Sequence, residues 1–262
     1  MVDPFESMAF WQILMFCLGC CLGSFFNVVI YRLPLKKSIV SPGSHCPQCQ
    51  KPIPAYDNIP VVSFLLLRGR CRFCASRISW RYPMVELLAG VMVLLLFRRS
   101  GWHPQFFVEL LFSSSLLVIF FIDLDTMLIP DVISLPGIVV GFAASFLTPR
   151  LSWLDSLAGI LLGGGLFYAI AIGYQWFRGQ EGLGGGDIKL LAMIGAFLGW
   201  SGVVFTILVS SVTGAAVGLI AMRRSRKGFS TMLPFGPFLA LGAVCFLFWG
   251  EAFLDWYWGL AS

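Results

Sequence analysis

The sequence predicts an all-α membrane protein of about eight transmembrane helices, with a small zinc-ribbon-like domain in one loop. Hydrophobic residues make up 58% of the 262 residues and charged residues only 12%, which is roughly half the charged share of a soluble domain. The hydrophobic residues are grouped into runs long enough to cross a bilayer. A basic, proline-rich segment with two Cys-x-x-Cys pairs separates the first run from the others.

Seven apolar segments supply the predicted helices, and one of them is long enough to supply two. In chain order they cover residues 8–30, 83–97, 104–122, 132–148, 154–177, 188–221 and 232–258. The second segment is short for a span but strongly apolar, whereas the sixth exceeds the length of a single span. Gly199 to Gly202 provide a turn that divides the sixth segment in two. This interpretation gives eight spans.

The positions of Lys and Arg predict how the spans are oriented, because cytoplasmic loops carry an excess of both. If residues 32–82 are cytoplasmic, that loop holds nine of the 18 basic residues, and six more flank or fill the two later cytoplasmic loops. Only Arg98, Arg99 and Arg150 fall on the opposite side. Membrane orientation thus explains the net charge of +5, which does not indicate a nucleic-acid-binding protein. The first seven residues carry two acids and no base, unlike a cleaved signal peptide.

The segment 33–81 has the features of a zinc-binding domain. Its two cysteine pairs, Cys46/Cys49 and Cys71/Cys74, are separated by 21 residues, close to the spacing of a zinc ribbon. Four thiolates fill a tetrahedral structural zinc site, and about fifty residues bury too little core to fold well without such a link. Free thiols and disulfides are the alternatives, and a reducing cytoplasm disfavours disulfides.

Two aspartates stand at the ends of predicted spans, where an ionisable side chain is expensive to place and is a functional candidate. Asp123 follows the span 104–122, and Asp187 follows three glycines at the start of a later span. In the eight-span arrangement both lie at the cytoplasmic face, where paired carboxylates can act as general acid and base on water. Alternatively, Asp187 is a helix N-cap, and Asp123 is a solvated residue beyond a helix end.

Two neighbouring aspartates compete for these roles. Asp125 is two residues after Asp123, a rotation of about 200° on a helix, so the two cannot both face Asp187 if the helix continues. Asp131 follows Pro130 and is expected in the first turn of the next helix. The residues therefore favour Asp123 and Asp187 as the pair. Such a pair titrates jointly, so neither member can be assigned as the initial base.

Six segments, taken in order, resemble those of the bacterial type IV prepilin peptidases and together span nearly the whole chain. They are Gly-Ser-Phe-Phe-Asn-Val-Val-Ile-Tyr-Arg-Leu-Pro (23–34), the paired Cys-x-x-Cys motifs, Arg-Tyr-Pro-Met-Val-Glu-Leu-Leu-Ala-Gly (81–90), Ile-Asp-Leu-Asp-Thr-Met-Leu-Ile-Pro-Asp (122–131), Gly-Gly-Gly-Asp-Ile-Lys (184–189) and Pro-Phe-Gly-Pro-Phe-Leu-Ala-Leu-Gly (234–242). No single motif is decisive, but their number and order make the resemblance specific.

The resemblance implies a bifunctional enzyme of the bacterial inner membrane. Such enzymes cleave the cytoplasmic leader from prepilins and pseudopilins, then methylate the new N-terminal amine with S-adenosylmethionine as donor. By the family pattern the catalytic aspartates are Asp123, in Ile-Asp-x-x-x-x-x-Ile-Pro, and Asp187, in Gly-x-Gly-Asp. The expected partners are therefore prepilins or pseudopilins and the lipid bilayer, with no nucleic acid.

The residues that perform methyl transfer are harder to predict. The family places this activity with the cytoplasmic loop, yet the loop contains no Gly-x-Gly-x-x-Gly dinucleotide fingerprint. Candidates for binding the methyl donor flank the loop on both sides: Gly23, Ser24, Asn27, Arg32 and Glu86. In the alternative interpretation, the small residues allow close packing of membrane helices, Asn27 forms a hydrogen bond between helices, and Glu86 is a first-turn acid.

Two other classes of protein share some of these features. A secondary transporter also carries intramembrane carboxylates, but internal repeats and midplane sites are typical of it, and the sequence indicates neither. A membrane scaffold that binds a partner through a zinc ribbon leaves Asp187 and its glycines without a role. The sequence therefore predicts an enzyme, with 1–31 as the first span, 32–82 as a cytoplasmic zinc-binding and methyltransferase loop, and 83–262 as the peptidase bundle.

Overall fold

The computed structural model describes residues 4–148, 150–178, 184–224 and 233–261, and the regular secondary structure within these ranges is helical. Isolated β-bridges occur in the loop that follows the first helix, and no strand forms in the described ranges. The helices are α1 (Pro4–Arg32), α2 (Val62–Leu66), α3 (Arg81–Ser100), α4 (Pro104–Thr126), α5 (Asp131–Ala144), α6 (Trp153–Ile160), α7 (Phe167–Arg178), α8 (Gly185–Arg224) and α9 (Gly236–Ala261). A 3₁₀ turn at Ala55–Asn58 precedes α2, and a π-helical turn, Leu161–Leu166, joins α6 to α7.

Five helical segments are long and apolar enough to cross a membrane: Met8–Arg32, Pro104–Thr126, Trp153–Phe177, Gly185–Arg223 and Gly236–Tyr257. Asp131–Ala144 is apolar but shorter, and its 14 residues extend only about 21 Å. In the part of the chain that it describes, the structure therefore confirms an all-helical protein with five candidate membrane spans. The count of eight spans stays a prediction.

The longest helix, α8, is interrupted at the place where the sequence predicts a turn. Its 40 residues would reach about 60 Å if straight, twice the thickness of the hydrocarbon core. Gly199 breaks it with φ 73° and ψ −177°, a conformation that only glycine adopts readily. The predicted turn is confirmed, with the break at Gly199, whereas the assignment of the two halves to separate spans stays a prediction.

The chain forms two compact units, Met1–Ser114 and Ser115–Ser262, with the boundary inside α4. In the first unit, α1 packs closely on α3 because glycines line their contact. A Cβ added at Gly19 would lie 2.8 Å from the carbonyl oxygen of Ala89, and one at Gly90 would lie 2.6 Å from the sulfur of Cys20. The sequence predicts a different division, into a span (1–31), a loop (32–82) and a bundle (83–262), and that division stays a prediction.

In the second unit, α8 is the central helix and contacts α5, α6 and α9. Gly159 in α6 and Gly195 in α8 bring the two backbones into direct contact, and a Cβ on either would overlap the other's backbone. Gly163, in the π-helical turn, approaches the backbone of Leu191 in the same way. Small residues of this kind are how membrane helices pack closely. They fix the N-terminal half of α8, which begins beside Asp187.

Candidate active site and metal centre

Asp123 lies in the last turn of α4 and is buried, with 4% of its surface exposed. Met127, at φ 53°, ends the helix by donating its N–H to the carbonyl of Asp123 at 2.9 Å. The carboxylate itself is bound from another helix, since the N–H of Gly236 donates to Oδ2 at 3.0 Å. Gly236 is the first residue of α9, so a helix N-terminus, with its unpaired N–H groups, meets a buried carboxylate.

Asp187 occupies the first turn of α8 and is half-buried. Its backbone N–H donates to the carbonyl of Gly184 at 3.1 Å, and its Oδ2 would be 2.9 Å from a Cβ added at Gly184. Gly184 therefore leaves the space that the carboxylate uses. Gly182 and Leu183, which open the glycine-rich motif, lie outside the described residues.

The structure brings the segments that carry these two aspartates together at one residue, Ile129. A Cβ at Gly186 would lie 3.0 Å from the Cβ of Ile129, and one at Gly236 would lie 3.2 Å from its Cδ1 and 2.7 Å from Asp123 Oδ2. The ends of α4, α8 and α9 thus meet around a carboxylate pair.

The two rival aspartates have other surroundings. Asp125, two residues after Asp123, is exposed, whereas Asp123 is on the buried face of the helix. Asp131 is in the first turn of α5, as the sequence predicts, and both of its oxygens accept from Nζ of Lys189 at 2.8 Å. Lys189 is two residues beyond Asp187, so this ion pair joins the start of α5 to the start of α8.

The four predicted metal ligands form two knuckles with the same backbone design. In each, the N–H of the residue after the second cysteine returns to the first cysteine's carbonyl at 2.9 Å, from Gln50 to Cys46 and from Ala75 to Cys71. Gln50 and Ala75 both have positive φ, 59° and 56°. One isolated bridge closes each knuckle, His45 to Pro52 and Arg70 to Arg77. The sequence thus folds twice into the same turn.

The geometry of the four thiols fits a zinc ion. Their sulfurs all lie within 4.8 Å of one another, and the sulfurs of Cys46 and Cys74 are 3.8 Å apart. Four sulfurs about 2.3 Å from a tetrahedral Zn²⁺ are separated by about 3.8 Å. The backbone N–H of Cys49 is the main cause that lowers the pKa of Cys46 to about 6.

Four of the five candidate methyl-transfer residues line a single cavity of about 960 Å³ in the first unit: Ser24, Asn27, Arg32 and Glu86. Asn27 donates to the carbonyl of Tyr82 at 3.1 Å, which links α1 to α3. Gly23 is not among the lining residues; a Cβ there would lie 2.6 Å from the Cα of Glu86. Gly23 therefore has the packing role that the sequence left open as an alternative.

Several residues of these sites could not be foreseen from the sequence as partners. The N–H of Val61 donates to Glu86 at 2.7 Å, Gly236 donates to Asp123, and Lys189 pairs with Asp131. Gly236 and Lys189 occur in two of the segments that resemble the family, Pro-Phe-Gly and Asp-Ile-Lys, but the sequence predicted no function for either residue. Only long-range packing supplies the partner in each case.

The fold and the two sites define a class: helical membrane proteins with a carboxylate pair at meeting helix ends and a four-cysteine loop that can hold a metal. Comparison with known proteins narrows this class. Residues 17–100 match the family model of the bacterial peptidase A24 N-terminal domain, and residues 110–219 match that of the type IV leader peptidase family. The chain belongs to the type IV leader peptidase family.

Three similar proteins share the name prepilin leader peptidase/N-methyltransferase. That of Aeromonas salmonicida (strain A449) is 36% identical over 93% of this chain and 92% of its own length. That of Pseudomonas putida is 36% identical over 89% of both chains. That of Myxococcus xanthus (strain DK1622) is 42% identical over 81% of this chain and 63% of its own. No solved structure matches the chain.

Proposed function

We propose that the chain is a bifunctional prepilin peptidase of the bacterial inner membrane, which cleaves the cytoplasmic leader of prepilins or pseudopilins and then methylates the new N-terminal amine. Family membership and the names of the relatives support both activities. The observation that supports the peptidase assignment is that Ile129 contacts both Gly186, next to Asp187, and Gly236, which binds Asp123. A site at the cytoplasmic margin of the bilayer suits a substrate whose leader is polar and whose following segment is apolar.

Cleavage follows from what a close carboxylate pair can do. Two such groups share one proton, because both cannot ionise cheaply at short separation. The ionised member takes a proton from water, and the resulting hydroxide attacks the scissile carbonyl. The protonated member donates to the carbonyl oxygen, and a proton then passes to the leaving amine as the C–N bond breaks. Gly236 holds one oxygen of Asp123, which fixes the direction of its other oxygen.

Methyl transfer is assigned to the cavity of the first unit. Its volume lies in the range of small-molecule sites. A buried carboxylate and the aromatic rings of Phe64 and Tyr82 line it, a set that fits a cationic sulfonium compound. S-adenosylmethionine, when bound, supplies an electrophilic methyl group. Asn27 and Arg32 keep the cavity open by tying α1 to the carbonyls of Tyr82, Ser38 and Gly43.

Zinc is assigned to Cys46, Cys49, Cys71 and Cys74 as a structural ion. Cys46 and Cys71 also line the cavity, so the two knuckles form part of its wall. The metal would hold that wall in place, since two short turns have little core of their own. Its chemistry here is structural, because four thiolates leave no open coordination position.

Leader cleavage by purified variants in detergent tests the peptidase assignment. Asp123→Asn and Asp187→Asn should each lower cleavage of a co-purified prepilin by on the order of 10⁴-fold or more, because members of a catalytic unit are not additive. Asp125→Asn is the matched control, since it removes one carboxylate from the same helix end and should retain most activity. An inactive Asp125→Asn beside an active Asp123→Asn would assign the pair differently.

A further inference from the structure

Glu86 is a buried carboxylate with only neutral partners. It lines the cavity of the first unit and is 8% exposed. One oxygen accepts the N–H of Val61 at 2.7 Å, and Ser24 lines the same cavity. Among the residues that the structure describes, no Lys or Arg forms an ion pair with it. A buried charge of this kind is expensive unless a cation joins it.

The other carboxylate that lines the cavity, Asp57, is already paired with a cation, which separates Glu86 from it. Asp57 accepts two hydrogen bonds from Arg72, at 2.7 and 2.6 Å. The guanidinium of Arg32 is turned to two backbone carbonyls, those of Ser38 and Gly43, at 3.0 and 3.3 Å. Glu86 is therefore the carboxylate of this cavity that is left for a bound cation.

The backbone around Val61 is strained in order to reach Glu86. Val61 has φ 60° and ψ −49°, and the N–H of Val62 returns to the carbonyl of Pro60 at 2.6 Å. This is a γ-turn with positive φ at its centre, which is rare and costly, above all for a β-branched residue. Such strain persists where the surroundings over-determine it and is concentrated at functional sites. Here it aims one N–H at a carboxylate oxygen.

Helix packing fixes the other side of Glu86. Gly23 lets α1 approach α3 so closely that a Cβ there would lie 2.6 Å from the Cα of Glu86 and 3.0 Å from the carbonyl oxygen of Val85. Ser24, the next residue of α1, is then within reach of the carboxylate. The side chain thus packs between α1, α3 and the turn before α2, and it lines the cavity.

We propose that Glu86 is the catalytic base of methyl transfer, which binds the ammonium group of the newly exposed N-terminal residue and takes its proton. This inference rests on the proposed methyltransferase function. The freed amine nitrogen forms a bond to the methyl carbon of the sulfonium donor as the carbon–sulfur bond breaks, and the electron pair of that bond stays on sulfur. Sulfur becomes a neutral thioether, the product nitrogen keeps its two hydrogens and carries the positive charge as a secondary ammonium, and Glu86 passes its proton to solvent.

A base is needed because an α-ammonium group, with a pKa of about 8, carries no free electron pair at neutral pH. A positive amine is also repelled by a positive sulfonium. A buried carboxylate removes both obstacles, since it attracts the ammonium and accepts its proton in a site of low dielectric constant. The same carboxylate could instead receive the ammonium of the donor's amino-acid portion, and the test distinguishes these two sources.

The test measures methyl transfer from labelled S-adenosylmethionine to pilin that lacks its leader, with the full-length enzyme, between pH 6.5 and 9. Glu86→Gln should lower turnover about 100-fold at pH 6.5, and the loss should shrink to less than about 10-fold near pH 9, where the amine is already neutral. The affinity for S-adenosylmethionine, measured by calorimetry, should be unchanged. Leader cleavage and zinc content of the same preparation report on folding.

Three outcomes overturn the proposal: full activity of Glu86→Gln, a loss that is constant across this pH range, or a loss that follows weaker binding of S-adenosylmethionine. If the Gln variant fails to fold, Glu86→Asp carries the test. A carboxylate set back by one methylene should lower turnover and keep the wild-type pH dependence, whereas a raised KM for the donor at full turnover contradicts a base. A wild-type enzyme that transfers no methyl group refutes the proposed function instead.

Discussion

At the residue scale, the proposed peptidase site depends on a glycine outside the carboxylate pair. Gly236 begins α9 and gives its N–H to Asp123, and the same residue allows the helix end to approach the carboxylate. A Cβ at this position would lie 2.7 Å from Asp123 Oδ2 and 3.2 Å from Ile129. The hydrogen bond and the missing side chain therefore act together on one oxygen.

Gly236→Ala should reduce leader cleavage on the order of 100-fold, because a displacement of about 1 Å at a catalytic group costs that much. Gly173→Ala is the matched control in the same unit, since nothing lies within 4 Å of a Cβ there and alanine is the better helix former. Initial rates of prepilin cleavage at saturating enzyme compare the two. Equal rates for both variants and wild type would show that cleavage does not depend on the position of the Asp123 oxygen that is bonded to Gly236.

At the element scale, the start of α8 is joined to the turn between α4 and α5 at two points. Ile129 packs against Gly186, and Asp131 forms its ion pair with Lys189. Both contacts flank Asp187 in the sequence. The ion pair is more than a third exposed on each side, so its contribution to stability is at most about 1 kcal/mol. Its effect is expected on the position of Asp187 rather than on folding.

Lys189→Ala and Asp131→Ala should each slow cleavage by roughly 5-fold, which corresponds to about 1 kcal/mol. The exchange of the two residues, Asp131→Lys with Lys189→Asp, should restore part of the rate because opposite charges again face each other. Single-turnover cleavage separates this positioning effect from product release. If the exchanged pair cleaves as slowly as the product of the two single reductions predicts, the rate does not depend on charge complementarity between positions 131 and 189.

The two cysteine knuckles are the other element whose shape depends on a partner outside it. Each is closed by its own hydrogen bonds, and besides the contacts of Cys46 with Cys74 and Ser76 a shared metal would join them. Cys46→Ser with Cys49→Ser should release about one zinc ion per chain and unfold the loop, because metal binding and folding are coupled in small sites. Cys21→Ser, in α1 and outside the cluster, should keep its zinc. Elemental analysis measures both, and active wild-type enzyme without zinc would end this assignment.

At the scale of the whole molecule, the proposed activities fall in different compact units. The carboxylate pair belongs to Ser115–Ser262, whereas the cavity and the cysteine knuckles belong to Met1–Ser114. Each unit holds the groups that its reaction needs: two carboxylates for water activation in one, and a carboxylate-lined cavity in the other. The two reactions should therefore be separable by substitution.

Asp187→Asn should still methylate pilin supplied without its leader, at close to the wild-type rate, because that substrate already has a free amine and needs no attack by water. Conversely, the double cysteine variant should lose methylation more than cleavage, since its knuckles form a wall of the cavity. Transfer of labelled methyl groups and leader cleavage are measured on the same preparations. A folded Asp187→Asn enzyme that transfers no label would mean that the two reactions share residues.

The sequence by itself determined the helical membrane class, the break in α8 and the cysteine cluster, because each depends on composition or short spacing. Apolar runs are local, a glycine at φ 73° is a local necessity, and paired Cys-x-x-Cys motifs form similar turns wherever they occur. It also singled out Asp123 and Asp187, since their positions at helix ends follow from the lengths of the runs. What it left open was how many runs cross the membrane and which of the candidate polar residues act.

Only the tertiary structure decided the partners. Gly236 lies 113 positions from Asp123, Lys189 lies 58 from Asp131, and Val61 lies 25 from Glu86. No spacing rule links residues so far apart, because their approach is set by how glycines let whole helices pack. The same packing distinguishes the roles of two candidates: Gly23 is a helix contact, and Glu86 is a carboxylate that lines the cavity. A sequence shows which groups are costly to bury, and the fold shows what each one is buried against.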